Sequence, residues 1–197
     1  MAKGSRQQLR PRLFARACVV GWMAWGVALF YAVEGGRQLA FVNLLSAEDF
    51  SFEVFKRDAN YCVKALIGFD DMEDISYSLY VTLDELPGGN DHELRFFVSE
   101  YDGVTDSEFL YFSAKDLAVK IPSQDRVFIR ACLLRAIENL IGLAEPDRVY
   151  LCGYDTYAPP KADVKFSLIG EVFESKGYEV KAADQYNGQR VWWMNRR

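Results

Sequence analysis

The stretch "IPSQDRVFIRACLLRAI", residues 121–137, marks the point where the chain changes from strand patterns to a long helix pattern. A polar turn leads directly into apolar residues at helical spacing, and that spacing continues as far as residue 144. Ser123 stands where an N-cap belongs, with Pro122 just ahead of it. The sequence therefore predicts an amphipathic helix over residues 124–144.

Before this helix, the pattern predicts a strand at 50–58, a helix at 59–74 and three further strands. The three strands cover residues 75–85, 93–102 and 107–119, and turn signals containing glycine separate them. Consecutive strands joined by short turns are typical of an antiparallel meander.

After the helix, the sequence predicts a buried strand at 148–155, an amphipathic helix at 162–176 and a closing hairpin. Gly177 is placed as a C-cap glycine, and Asn187-Gly188 marks the hairpin turn. The order from residue 50 is β-α-β-β-β-α-β-α-β-β. The predicted fold class is therefore α/β (α+β), with a mixed, mostly antiparallel sheet flanked by helices.

Two phrases, "LAVKIPSQDRVFIRACLLRAI" and "VFESKGYEV", resemble segments of the GNAT superfamily of acyl-CoA-dependent N-acyltransferases. In that family a strand ending in Val-x-Pro leads to a glycine-rich loop and a helix, whose amides hold the coenzyme diphosphate. Val119, Gln124 and Arg126 match that pattern, and Phe173 and Gly177 match the later helix. The resemblance implies a GNAT-like domain over residues 50–197.

By this resemblance, acetyl-CoA or another acyl-CoA is the expected cofactor. The candidate cofactor-binding residues are Val119, Gln124, Asp125, Arg126 and Val127.

The loop departs from the family pattern, because Val127 and Ile129 occupy both glycine positions and Asp125 adds an acid. Glycine lets a backbone approach a ligand closely, so we expect these side chains to crowd and repel a diphosphate.

The resemblance also directs attention to catalytic residues. Glu108, on the predicted strand 107–119, is the candidate general base. Phe173 stands where family members often have a tyrosine acid, so Tyr154 and Tyr157 are the candidate substitutes. The alternative for Glu108 is an ordinary solvated carboxylate, and for the tyrosines it is simple packing.

The implied function is an acyl-CoA-dependent N-acyltransferase acting on a small-molecule or protein amine, with a wedge between strands 107–119 and 148–155. The main alternative is a catalytically inactive GNAT-like binding or structural module. An acyl carrier protein as donor and an unrelated α/β fold remain as further alternatives.

Charge divides the chain into a basic arm at residues 1–16, a hydrophobic segment and linker at 17–49, and the acidic domain. All five charges of the arm are basic, while the whole chain carries a net charge of −5. An acidic body lacks the basic face that phosphates require, so no nucleic-acid partner is expected.

Residues 17–33 contain no charged side chain. As a helix they would span about 25 Å, the short end of a membrane crossing, with contact through residues 13–33. A buried hairpin is the competing interpretation, because a Gly-Gly turn follows. The two interpretations predict different locations, membrane-anchored through one N-terminal helix or cytoplasmic.

The chain has four cysteines and one histidine, His92. None of the cysteines forms a CxxC pair, whereas a structural zinc site needs four clustered ligands. No metal is expected, and the cysteines are expected to be reduced thiols. They are Cys18, Cys62, Cys132 and Cys152.

Overall fold

A computed structural model describes residues 41–45, 50–89, 91–112, 114–154, 162–183 and 189–197. The predictions for the basic arm and the hydrophobic segment lie outside these residues. Within the described ranges, no helix has both the length and the apolar character needed to span a membrane.

Nine strands within the described residues form one sheet. In chain order they are β1 (Phe41–Asn43), β2 (Glu53–Arg57), β3 (Asn60–Asp70), β4 (Ile75–Glu85), β5 (Asp91–Asp102), β6 (Ser107–Tyr111), β7 (Arg148–Tyr154), β8 (Tyr178–Ala182) and β9 (Gln189–Arg196). The helices are α1 (Ala114–Lys120), α2 (Arg126–Ala144) and α3 (Ala162–Ser175).

The sheet order is β1-β3-β4-β5-β7-β9-β8, with β2 on the same edge of β3 as β1, and with β6 pairing β5. Only the β5–β7 pair is parallel among these ladders. The fold is therefore mixed α+β with a mostly antiparallel sheet, which confirms the predicted class at that level.

The core lies between one face of the sheet and the helices α2 and α3. Alternate residues of the central strands point to this face, as the two-residue period of a strand requires. On the three central strands they are Val63, Ala65, Ile67, Leu79, Val81, Leu83, Leu94, Phe96 and Val98, all at most 4% exposed. Helix α2 contributes a buried stripe that includes Ile129, Leu133, Ile137 and Leu140.

The predicted helix at 59–74 is wrong, because residues 60–70 form the long strand β3. Val63, Ala65 and Ile67 alternate toward the core, while Cys62 is buried on the opposite face. The opposite face also carries apolar residues, Leu66 and Phe69, which are 49% and 36% exposed. The apolar pattern of β3 is therefore nearly continuous, and periodicity alone does not separate it from a helix. A register shift between Leu66 and Gly68 further breaks the alternation.

The predicted strand 107–119 is also wrong in its second half. Strand β6 ends at Tyr111, and α1 occupies residues 114–120. Leu117 and the following Ile121 are buried, at 3% and 0% exposed. Their spacing of four residues suits one face of a helix.

Candidate functional site

The parallel strands β5 and β7 pair over only three positions, from Asp91↔Arg148 to Glu93↔Tyr150. The other edge of β5 is paired with β4 along its whole length, so β6 must lie on the β7 side. Beyond the three pairs, β6 takes that edge of β5 from Val98 onward, while β7 continues with β9. We call the space between residues 94–97 of β5 and 151–154 of β7 the sheet gap.

This position corrects the predicted wedge. The wedge was expected between strands 107–119 and 148–155, whereas the strands that part are β5 and β7. The parting strands end on the side where α2 and α3 begin, because α2 leads into the start of β7 and α3 follows the end of β7. In open sheets of this kind, crevices at the carboxyl ends of parallel strands are frequent binding sites.

The first turns of α3 lie over the sheet gap and contact both of its walls. The Phe166 ring stacks on Trp192 of β9, with ring centroids 4.2 Å apart. A Cβ at Gly153 of β7 would lie 2.9 Å from Phe166 Cζ, so a larger residue there would displace the ring. The gap is therefore filled on the helix side by aromatic rings.

The fold buries Lys165, with 8% of its surface exposed. Its Nζ lies 4.6 Å from the ring centroid of Phe96 and 4.8 Å from that of Phe166. Burial lowers the pKa of Lys165 from 10.5 to about 7, because water no longer solvates the ammonium group. Near neutral pH this amine is therefore divided between its two protonation states and can accept a proton.

The segment before α2 is held by Arg126, the residue that matches the coenzyme-loop arginine. Its guanidinium donates hydrogen bonds to the carbonyl oxygens of Ala118, at 2.9 Å, and Ile121, at 3.0 and 3.1 Å. These carbonyls lie at the C-terminal end of α1, where a helix has no further amides to satisfy them. Arg126 thus closes α1 and fixes it against α2.

Asp125 is the N-cap residue of α2, but its carboxylate makes no capping hydrogen bond to the helix amides. It accepts a hydrogen bond of 3.3 Å from the Asn43 side chain of β1 instead. A fixed carboxylate at a helix N-terminus occupies the place that favours a ligand anion. The carboxylate of Asp125 therefore ties the turn before α2 to β1.

The two branched residues at the family's glycine positions differ in their surroundings. Val127 is half exposed, whereas Ile129 is 1% exposed and belongs to the core. The expectation that both side chains crowd the loop is therefore wrong for Ile129. It faces the core because the buried positions of α2 follow the helical period from residue 129 onward.

The remaining predicted site residues are dispersed. Val119 is on the exposed side of α1, 70% exposed, and Gln124 is exposed in the turn before α2. Glu108 accepts a hydrogen bond from Ser99, on the face of the sheet opposite to Phe96 and the helices. Tyr154 ends β7, with its side chain outside the described set, and Tyr157 is outside the described residues.

A buried carboxylate at Glu100 was not identified from the sequence. Only 6% exposed, it accepts a 2.8 Å hydrogen bond from the Tyr111 hydroxyl and lies 3.2 Å from Lys120 Nζ. Burial, and next to it the charge of Glu100, raise the pKa of Tyr77 on the neighbouring strand. The signal was present in the sequence, since Glu100 continues the apolar alternation of Phe96 and Val98.

Glu100 ties three elements together. Tyr111 belongs to β6 and Lys120 to α1, so the cluster holds both against β5 beyond the sheet gap. Its partners satisfy the carboxylate from within the chain, as a buried charge requires. We therefore interpret it as an anchor for α1.

Among the described residues, no group of three or more His, Cys, Asp and Glu side chains is arranged to hold a metal ion. Comparison of the chain with protein-family models, with curated proteins and with solved structures gave no match.

Proposed function

We propose that the chain is a GNAT-like domain in which the coenzyme-binding turn has become structural packing, so that the domain is a non-catalytic module. The strand order and the parallel pair parted beside a crossing helix support the GNAT-like layout. The contacts of Arg126 support the loss of coenzyme binding, and they are the observation on which the proposal rests.

The turn before α2 offers little to a phosphate ligand. A diphosphate needs free amides and positive charge at a helix N-terminus. Here the guanidinium of Arg126 is directed at the carbonyls of α1, and a carboxylate stands at the N-cap position. Both features favour a turn that holds α1, α2 and β1 together over one that receives phosphate.

Thermal unfolding with excess acetyl-CoA tests this proposal. A ligand that binds only the native state at 100 times its Kd adds about 2.7 kcal/mol of stability. We expect no shift in the melting temperature, either for the parent chain or for Asp125→Asn. A clear upward shift for the parent chain would contradict the proposal.

The sheet gap favours a second function, an acyl-CoA-dependent N-acyltransferase acting on a small-molecule or protein amine. In this function the gap would take the acyl arm, and Lys165 would accept the proton of the attacking amine. An amine with a pKa of about 7 is suited to proton transfer near neutral pH. Acetyl-CoA is then the cofactor, despite the carboxylate of Asp125.

The same thermal-unfolding experiment with acetyl-CoA separates the two functions. For the acyltransferase we expect acetyl-CoA to raise the melting temperature, and Asp125→Asn to strengthen binding by removing the repelling charge. Asp71→Asn, at an exposed turn between β3 and β4, is the matched control because it removes the same charge elsewhere. Release of free CoA in the presence of candidate amines, lost in Lys165→Met, would then establish turnover.

A further inference from the structure

Strand β2 forms an outer edge of the sheet, and all five of its residues are exposed. Within the described part of the chain it pairs only with β3, which leaves its other edge open. Phe55 is 50% and Val54 48% exposed there. An exposed edge that carries large apolar side chains is a template for pairing with another strand.

The hairpin register shows which backbone groups of β2 face outward. A two-residue turn, Asp58–Ala59, closes on the pair Arg57↔Asn60, so that pair exchanges both of its hydrogen bonds. Hydrogen-bonded and non-hydrogen-bonded pairs then alternate along the ladder. The N–H and C=O groups of Val54 and Lys56 therefore point away from β3.

The side chains of β2 are self-complementary in one antiparallel register. The sequence Glu53-Val54-Phe55-Lys56-Arg57 has an acid at one end and a base at the other. If Phe55 lies opposite the partner's Phe55, then Glu53 lies opposite the partner's Arg57 and Arg57 opposite the partner's Glu53. The outward groups of Val54 and Lys56 meet in that same register, so backbone and side chains select one alignment.

We propose that β2 pairs antiparallel with β2 of a second copy of this chain, centred on Phe55, to make a two-fold dimer with a continuous sheet. Cross-strand pairs of aromatic rings and of opposite charges stabilise such ladders. The contact is isologous, as in the commonest oligomers, because one patch meets itself.

Charged residues on an edge strand often serve to prevent pairing. In this register the charges of β2 do not prevent pairing with a second copy. Glu53 and Arg57 of one chain each lie opposite the oppositely charged residue of the other chain. A five-residue edge buries less than the roughly 1,200 Å² of a standard interface. We therefore expect a dimer that dissociates on dilution.

Two charge reversals test the register directly. Glu53→Arg alone places arginines opposite each other across the two-fold axis, and Arg57→Glu alone places glutamates opposite each other. Each variant is expected to be monomeric in sedimentation experiments at concentrations where the parent chain dimerises, with at least a tenfold weaker Kd. An equimolar mixture of the two variants restores opposite pairs and is expected to form a heterodimer.

This rescue separates pairing between chains from an effect within one chain. Residues 53 and 57 are about 13 Å apart along the strand, too far to contact each other. Val54→Pro provides a second approach, because it removes an outward N–H on an edge where proline is tolerated. It is expected to weaken the dimer while circular dichroism shows an unchanged fold.

Phe109→Lys is the matched control for Phe55→Lys, since Phe109 is equally apolar and 56% exposed on β6. Phe55→Lys is expected to abolish the dimer, and Phe109→Lys to leave its Kd within about twofold of the parent. A parent chain that stays monomeric at every concentration overturns the proposal. An oligomer that survives both charge reversals, or a variant mixture that stays monomeric, overturns it equally.

Discussion

The two halves of the central sheet are held together in different ways. Strands β3, β4 and β5 are joined by antiparallel ladders along nearly their whole length. Strands β5 and β7 share only three residue pairs, and beyond them α3 places Lys165 and Phe166 over the sheet gap. Backbone hydrogen bonds therefore join β3, β4 and β5, whereas side chains of α3 join β5 and β7 beyond their three residue pairs.

The difference teaches where this fold tolerates polar groups. The core face of the antiparallel half is apolar over the middle of its strands, since Leu79, Val81 and Leu94 are at most 2% exposed. Glu100, near the end of that half, and Lys165, over the gap, are the buried charged residues of the described set. Both lie where the β5–β7 ladder has ended.

The largest effect is expected for Lys165→Met, which removes the buried amine over the gap. A pKa of about 7 instead of 10.5 corresponds to a penalty of up to about 5 kcal/mol, at roughly 1.4 kcal/mol per unit. The contacts with Phe96 and Phe166 stabilise the ammonium and reduce the gain. We expect the variant to be the more stable protein, measured by urea unfolding.

The stability difference between Lys165→Met and the parent chain should depend on pH. Because the folded pKa lies below the unfolded one, the penalty is fully present below about pH 7 and is relieved as pH rises to about 10.5. The stability difference between variant and parent should therefore shrink over that range. Lys176→Met, a substitution at a partly exposed lysine, should show no such trend, and parallel curves for Lys165→Met would refute the assignment.

A smaller effect, and a loss of stability, is expected for Gly68→Ala in the antiparallel half. A Cβ at this position would lie 2.6 Å from the carbonyl oxygen of Val42, a backbone atom that cannot rotate away. Strand β1 must shift, at a cost of about 2 kcal/mol. Gly142→Ala is the control, because a Cβ there meets nothing within 4 Å and alanine favours a helix by up to about 1 kcal/mol.

Arg126→Ala should lower the free energy of unfolding by about 1.5 kcal/mol, since it removes charge-assisted hydrogen bonds to the C-terminal end of α1. Chemical denaturation without any ligand is the appropriate measurement. Arg130→Ala, an exposed arginine one turn later, should have little effect. Equal stability of the two variants would mean that Arg126 is available for a ligand.

The smallest change is expected for Asp91→Asn, at the start of the parallel pairing. Asp91 lies 3.4 Å from Arg148, but half of the arginine side chain is exposed. Solvent-exposed ion pairs typically contribute less than about 1 kcal/mol. A loss above about 2 kcal/mol in thermal unfolding would show that this ion pair, and not the α3 packing, holds the two halves together.

Much of the fold was predictable from local patterns. Helix α2 was expected at 124–144 and begins at Arg126, and α3 was expected at 162–176 and ends at Ser175. Both have a clear helical period, whereas the strand alternation of β3 is hidden because its outer face also carries the apolar side chains of Leu66 and Phe69. The short helix α1 was missed because residues 109–119 contain no glycine, proline or asparagine to mark a turn between β6 and the helix.

The candidate site was less predictable than the fold. The turn before α2 was located correctly, but the roles of Arg126 and Ile129 depend on contacts with α1 and the core. Lys165 attracted no attention as one lysine in an amphipathic helix. Its chemistry arises from rings on β5 and on its own helix, which only the folded chain brings around it.

The sequence by itself determined the helices α2 and α3 and the antiparallel meander, because these follow from neighbouring residues. It placed the N-cap of α2 wrongly, at Ser123, whereas the N-cap residue is Asp125. The tertiary structure alone decided that β5 pairs with β7, that β6 closes the edge beyond them, and that Lys165 is buried. The physical reason is that strand partners and burial depend on residues far apart in the chain. The amino-acid sequence of one segment does not specify which other segments will pack against it.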